Sequence, residues 1–469
     1  MSSMLVAAYH RLPPRARSAV ASARGMYLRH WRYGPETDQL VAEALERERW
    51  PAGRWREWSE VRLAFLLERA ATRVPAYRDY WSARRRAGDR AAWDQLANWP
   101  VLSKEALRAN PRGYLADDCD PRRMFHEHTS GTTGKPLDLW SSRATLRAWY
   151  ALFDARWRRW HGVSRHDRWA LLGGQLVTPA AADRPPFWVW NAGLRQLYMS
   201  SYHLAPRFLL HYLEALKQYR ITYLLGYASS LEALARAAVE TGAAVPGLRV
   251  ALTSAEPLLP SQRATIEEAF GCPVRETYGM SEMVAAAGEC EAGTLHRWPE
   301  AGWLEVVGSS GPAPAATTGD FICTGLLNPD MPLIRYAVGD RGAIQEAAPC
   351  PCGRLLPAIA ALEGRSDDVL FTADGRPVGR LDPVFKARLR VREAQIVQHS
   401  LDRIVVRVVP ADGYSPADAR AIAEAVRDRM GDLDVTVESV VRIPRGPNGK
   451  FRAVVCSLDE PSLRRIGRA

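Results

Sequence analysis

The chain has 469 residues, 47% hydrophobic and 25% charged, with a formal charge of +11. This is a globular composition with length for two to three domains, which excludes a disordered or fibrous chain. The basic balance suits nucleic acid, an anionic membrane surface or phosphorylated ligands alike, so it selects no partner. Met4 to Ala8 is the only apolar run near the start and is too short for a secretory segment. No run approaches the roughly 20 apolar residues of a membrane helix, and seven cysteines, an odd number, do not form a disulfide framework. The expectation is a soluble protein of a reducing cytoplasm, without a transmembrane segment and with peripheral membrane contact left open.

Residues 1 to about 100 read as Arg- and Trp-rich helices, among them "DQLVAEALERERW" and "EVRLAFLLERAATRV", ending in "RVPAYRDYW". Arginine interleaved with tryptophan, again in "DARWRRWHG", raises nucleic-acid stacking as an option. Periodicity argues against it: Leu146, Tyr150, Phe153, Trp157 and Trp160 share a helical face, from which Arg156, Arg158 and Arg159 are expected to point away.

From 168 to about 345, apolar runs ("WALLGG", "ITYLLGYA", "LRVALTSA") alternate with helical segments ("PRFLLHYLEALKQY", "SLEALARAAVETG"), an α/β pattern, and "DFICTGL" and "MPLIRYAVGDRGAI" add a β-rich section. After "LEGRSDDVL" come two alternating strands, "EAQIVQHS" and "RIVVRVVP". A helix opened by Ser415-Pro416, with Ile422, Val426 and Met430 four residues apart, follows, then the strand "VTVESVVRI". The expected organisation is a helical N-terminal segment (1–100) packed on a large α/β domain (101–366), and a small α+β domain (367–469).

The stretch "EHTSGTTGKPLDLW", 127 to 140, concentrates glycines, hydroxyls and a lysine as a phosphate-binding loop would. It is not a Walker A loop, since Thr129 replaces the first glycine and Pro136 follows Lys135; a dinucleotide Gly-x-Gly-x-x-Gly is also missing here. It has companions in order: "TSAEP" (253–257), "YGMSE" (278–282), "RYAVGD" (335–340), "GRSDD" (364–368) and "PRGPNGK" (444–450). Together these resemble the motifs of the adenylate-forming acyl ligases. "VPAYRDYW", "GYASSLEALA" and "GRLDPVFKA" narrow the resemblance to the phenylacetate–CoA ligase family, including relatives encoded with polysaccharide or natural-product pathways.

The resemblance implies a large adenylate-forming domain with a mobile C-terminal lid, and a reaction in two halves. A carboxylate attacks the α-phosphate of ATP to give acyl-AMP and pyrophosphate, and coenzyme A then takes the acyl group. It implies that Ser130, Gly131, Thr132, Thr133, Gly134 and Lys135 cover the β- and γ-phosphates, where donors stabilise a departing pyrophosphate. By the same resemblance Glu256, Pro257, Tyr278 and Gly279 line the adenine, Glu282 holds Mg2+, Asp340 and Arg365 hold the ribose, and Asp367 is the hinge, with Asp368 an adjacent rival. Lys450 would bring a positive charge to the α-phosphate and carboxylate.

Cys290, His296, Cys350 and Cys352 have the composition of a closed Cys3His zinc site, and members of the family that resemble this chain can carry such zinc. Cys-x-Cys is tighter than common finger spacings, so separate free thiols remain the alternative. Cys119, Cys272, Cys323 and Cys456 are expected to be buried. Candidate acyl-pocket segments are "LLGGQLV", "GYASS", "TSAEP" and "MVAAAG"; the small run Ala285 to Gly288 permits a flat aryl acid without requiring one. Delivery of the acyl group to an amine or a carrier-protein thiol stays open, as does homodimerisation. A non-enzymatic nucleic-acid binder is the remote alternative, which leaves the ordered motifs unexplained.

Overall fold

The computed structural model describes residues 8–128, 137–175, 177–179, 182–308, 311–312, 317–346, 348–365, 370–373, 377–378, 390–445 and 451–465. It divides into two compact units, residues 1–338 with 342–361, and residues 339–341 with 362–469.

The short apolar runs of the first unit become parallel strands, in the order Gln196–Ser200, Trp169–Gly173, Tyr223–Gly226, Val250–Thr253 and Val274–Gly279. Strands this apolar require cover on both faces. Ala170, Leu172, Leu224 and Ala251 pack with helices Pro206–Gln218, Ala228–Thr241 and Pro260–Phe270 on one side. Their alternating neighbours Trp169, Tyr223, Leu225 and Leu252 pack with Trp149, Phe153 and Trp157 on the other. Strand Ala286–Glu289 pairs antiparallel with Val274–Gly279 and leads the same sheet into the β-rich section.

The Arg/Trp helix departs from the expected face. Helix Arg143–Phe153 continues as a wide π turn, Asp154–Arg158, which rotates the residues after it. Arg156 and Arg158 therefore turn inward, and Trp160 is only half-buried. Both terminal nitrogens of Arg156 donate to Glu300 at 2.8 Å, its Nε lies 3.4 Å from Glu48 Oε1, and Nη2 donates to the Ala44 carbonyl. Burial acts to raise the Glu300 pKa, but Arg156 holds it below the usual range. At Glu48 burial wins and the pKa rises, against Arg156, a 2.8 Å bond from Trp160 Nε1 and the pairing with Arg354. Arg158 donates to the Tyr33 hydroxyl and pairs with Asp154.

The N-terminal helices belong to this unit. Helix Thr37–Arg47 contributes Val41 and Ala44 to the tryptophan-rich core, and Tyr77, from "VPAYRDYW", accepts the backbone N–H of Ile334 through its hydroxyl at 3.1 Å. Of the scattered cysteines, Cys272 and Cys323 are buried. Cys119 and Cys456 are only half-buried, the first because it sits in a polar turn with Sγ 3.5 Å from the Asp330 carboxylate, the second because it ends an edge strand.

In the second unit, four strands run in the order Asp434–Ser439, Arg403–Pro410, Val391–Ser400 and Val454–Cys456. Ser415 and Asp418 form a capping box at helix Pro416–Met430, whose Ile422, Val426 and Met430 pack on Ile396, Ile404, Val406 and Val408.

Replacing Arg156 by leucine removes the bidentate partner of Glu300, leaving Arg47 to that buried carboxylate, and Arg354 and Trp160 to Glu48. The Arg156→Leu protein should lose about 3–5 kcal/mol of stability, read as a lower midpoint in urea unfolding; a loss within 1 kcal/mol would contradict the buried network.

Candidate functional site

The carboxyl ends of adjacent parallel strands carry, in order, Gly173-Gly174, Gly226-Tyr227, Thr253 to Glu256 and Tyr278-Gly279. Ligands of open α/β sheets bind beyond such ends. Four of the segments singled out in the sequence are thereby brought to one edge. They are also tied to one another: Ser254 N–H donates to the Gly226 carbonyl at 3.0 Å, and the Glu256 carboxylate accepts the Ser229 N–H at 3.0 Å, at the start of helix Ala228–Thr241. Ala255, between them, has φ +62°, a left-handed conformation that costs a non-glycine residue roughly 1–3 kcal/mol and concentrates at functional sites. Tyr227 sits beside this carboxylate, and burial first, then the charge of Glu256, push its pKa up to about 12.

Tyr278 is buried, its ring edge-on to Phe321 at 6.3 Å, which leaves the backbone at Tyr278-Gly279 to form the end of the strand. The indole of Trp157 lies under this segment. It donates to the Ala287 carbonyl at 2.8 Å, and a Cβ on Gly279 or Gly288 would meet it at 3.3 or 3.0 Å. The small run Ala285 to Gly288 thus accommodates the protein's own indole.

Glu282 is held from two sides. The Tyr336 hydroxyl donates to its Oε1 at 3.0 Å, and Lys104 Nζ lies 3.2 Å from the same atom. Tyr336 belongs to "RYAVGD", so that motif positions the last residue of "YGMSE". Lys104 arrives because Leu102 bridges to Tyr336: Leu102 N–H donates to the Arg335 carbonyl and Ala337 N–H to the Leu102 carbonyl, each at 2.9 Å. Sequence reasoning missed both Lys104 and Tyr336. A signal for Lys104 exists, because it opens helix Lys104–Ala109 just after the Ser103 cap, where the helix dipole favours an acid over a base.

Asp340 lies half-buried on strand Tyr336–Gln345, within the second unit. The segment with Ser130, Gly131, Thr132, Thr133, Gly134 and Lys135, together with Asp367 and Lys450, lies outside the described residues, as does the side chain of Arg365.

Cys290, His296, Cys350 and Cys352 do come together, their donor atoms within 4.8 Å of one another. Cys290 Sγ is 3.8 Å from Cys350 Sγ, and Cys352 Sγ is 3.4 Å from His296 Nε2. A tetrahedral zinc with Zn–S about 2.3 Å and Zn–N about 2.0 Å needs roughly 3.8 and 3.5 Å for these separations. His296 Nδ1 is 3.0 Å from the Leu356 carbonyl; donating there fixes the tautomer that leaves Nε2 free toward the thiols. Burial works to raise the Cys350 pKa, but hydrogen bonds from Thr294 and the Cys352 backbone bring it down to about 6, while burial raises that of Cys352. Donor type, spacing and tautomer fit a zinc ion.

Residues 84–317 match the AMP-binding enzyme family and residues 370–457 the CapK C-terminal domain. The chain is 26% identical to protein CapK of Staphylococcus aureus, over 76% of this chain and 79% of that protein. It is 26% identical to the phenylacetate-coenzyme A ligase of Thermus thermophilus, over 90% and 99%. Its fold is similar to that of 2-hydroxyisobutyryl-CoA ligase bound to an acyl adenylate, with TM-score 0.69, 22% identity and coverage of 90% and 94%. The chain belongs to the adenylate-forming superfamily, in its phenylacetate–CoA ligase-like family, and is an AMP-forming ligase.

A Lys104→Met and Glu282→Gln double-mutant cycle in metal-free protein should return a coupling of about 0.5–3 kcal/mol, measured by urea unfolding; additive effects would mean the pair does not form in solution.

Proposed function

We propose that this chain activates a carboxylic acid with ATP and passes the acyl group to coenzyme A. The observation that carries the reading is the strand edge where "GYASS", "TSAEP" and "YGMSE" converge, with Glu282 locked there by Tyr336. In the first step a carboxylate oxygen attacks the α-phosphorus, the bond to the bridging oxygen breaks, and pyrophosphate leaves. In the second, the thiol sulfur attacks the acyl carbonyl, AMP leaves, and the thiol proton passes to solvent.

In this reading Glu256, Pro257, Tyr278 and Gly279 surround the adenine, Asp340 and Arg365 hold the ribose, and Ser130 to Lys135 hold the β- and γ-phosphates. Asp367 is the pivot that brings Lys450 to the α-phosphate. Glu282 would hold Mg2+, for which one oriented carboxylate beside phosphate oxygens suffices; the ion would neutralise charge on the departing pyrophosphate. An aromatic acid is the class we favour, supported by the relative named for phenylacetate. The Cys3His cluster would hold a structural zinc, tying the turn after Ala286–Glu289 to residues 350–352. Seven cysteines without a disulfide suit a cytoplasmic setting, and no described helix is long and apolar enough to cross a membrane.

Acid-dependent ATP–pyrophosphate exchange over a panel of carboxylates should detect one acid class, and Lys450→Ala should lower that exchange by roughly 10²-fold or more. Unchanged exchange in the variant would remove Lys450 from the mechanism, and a product other than a CoA thioester, by mass spectrometry, would replace the acceptor. Protein purified without chelator should contain one zinc per chain, which Cys350→Ser and Cys352→Ser lose together with several degrees of thermal midpoint. Sub-stoichiometric zinc in the unaltered protein would refute the site.

A further inference from the structure

The hairpin on either side of residues 129–136 carries a second set of metal-type ligands, separate from the Cys/His cluster. Strands Phe125–His128 and Asp138–Ser141 pair antiparallel, with His128 opposite Asp138 and His126 opposite Trp140. Side-chain alternation puts these four residues on one face of the ribbon. His128 Nδ1 lies 2.6 Å and His126 Nε2 2.8 Å from the same atom, Asp138 Oδ1. The two imidazoles are 4.4 Å apart, and the His126 ring is stacked flat on Trp140, 4.6 Å between centroids and 3° between planes. On the other face Phe125 packs against Trp31 and Tyr27, which anchors the ribbon.

Two features separate this cluster from an ordinary solvated face, and a third gives an ion access. The nitrogens converge on one oxygen rather than on separate acceptors, and all three donor atoms lie within 4.8 Å of one another. One ring is already oriented by stacking. The side chains are 37–56% exposed, so an ion can enter and keep water in its remaining positions.

We propose that His126, His128 and Asp138 bind a late first-row divalent cation, of the Ni2+, Zn2+ or Cu2+ type, through two imidazole nitrogens and one carboxylate oxygen. Imidazole selects these ions over Mg2+ and Ca2+, which prefer all-oxygen shells, so the ligand class differs from that suited to Glu282. On binding, the ring nitrogen of each imidazole that faces Asp138 gives its lone pair to the ion, and any proton it carried passes to the other ring nitrogen or to solvent. Among the described residues, His128 and Asp138 are the pair nearest positions 129–137, so an ion shared between them cross-links the two ends of that stretch.

The test is calorimetric titration of Ni2+ into full-length, zinc-replete protein, with zinc release followed in parallel. One Ni2+ should bind per chain without zinc release, and His126→Gln, His128→Gln and Asp138→Asn should each weaken binding at least about tenfold, the lower bound for losing even a supporting group of a metal site. Circular dichroism should show all three variants folded, since the altered side chains face solvent. No binding, binding unchanged in the folded variants, or binding matched by zinc release would each overturn the proposal.

Discussion

A single guanidinium holds together parts of the first unit that are distant in sequence. Arg156 is fully buried between Glu300, which follows the small-residue strand Ala286–Glu289, and Glu48, at the end of an N-terminal helix. Glu48 also accepts from Trp160 and pairs with Arg354, two residues beyond Cys352, while Arg354 lies over the Trp160 ring. Desolvating such charges is expensive, and a well-packed apolar replacement of the whole set could be as stable. What the ionic version adds is register: bidentate bonds to Glu300 fix the depth of the π turn, and that sets Trp157 under Gly279 and Gly288.

Much of this was legible in the sequence, for reasons that differ between elements. Short apolar runs separated by amphipathic segments specify parallel strands without further context, and Ser415-Pro416 with Asp418 marks its helix start by local chemistry alone. The meeting of Cys290, His296, Cys350 and Cys352 was legible by composition, because soft thiols and an imidazole are a rare combination, although Cys-x-Cys by itself argued weakly for it.

Arg156 and Arg158, though not the exposed Arg159, were misread because helical periodicity assumes 3.6 residues per turn, and the wide turn at 154–158 breaks that assumption without a glycine or proline to announce it. Lys104 and Tyr336 were missed for another reason. Their importance lies in a contact with Glu282 made through an isolated bridge between Leu102 and Tyr336, and nothing in local pattern reports a pairing across more than 200 positions. The partner of a motif residue is fixed by topology, whereas the motif itself is fixed by chemistry.

The π turn has a consequence for how this sequence can change over generations. Deleting one residue from 154–158 would restore ordinary helix but swing Arg156 away from Glu300 and Glu48. Making those carboxylates apolar first would leave the arginine buried without a counter-charge. Each single step breaks Arg156 pairs and leaves Arg47 at Glu300 and Arg354 at Glu48 as partial compensation, so the extra residue, Arg156, Glu300 and Glu48 are most readily gained or lost as a block. Within a lineage they should behave as one character rather than as independent positions.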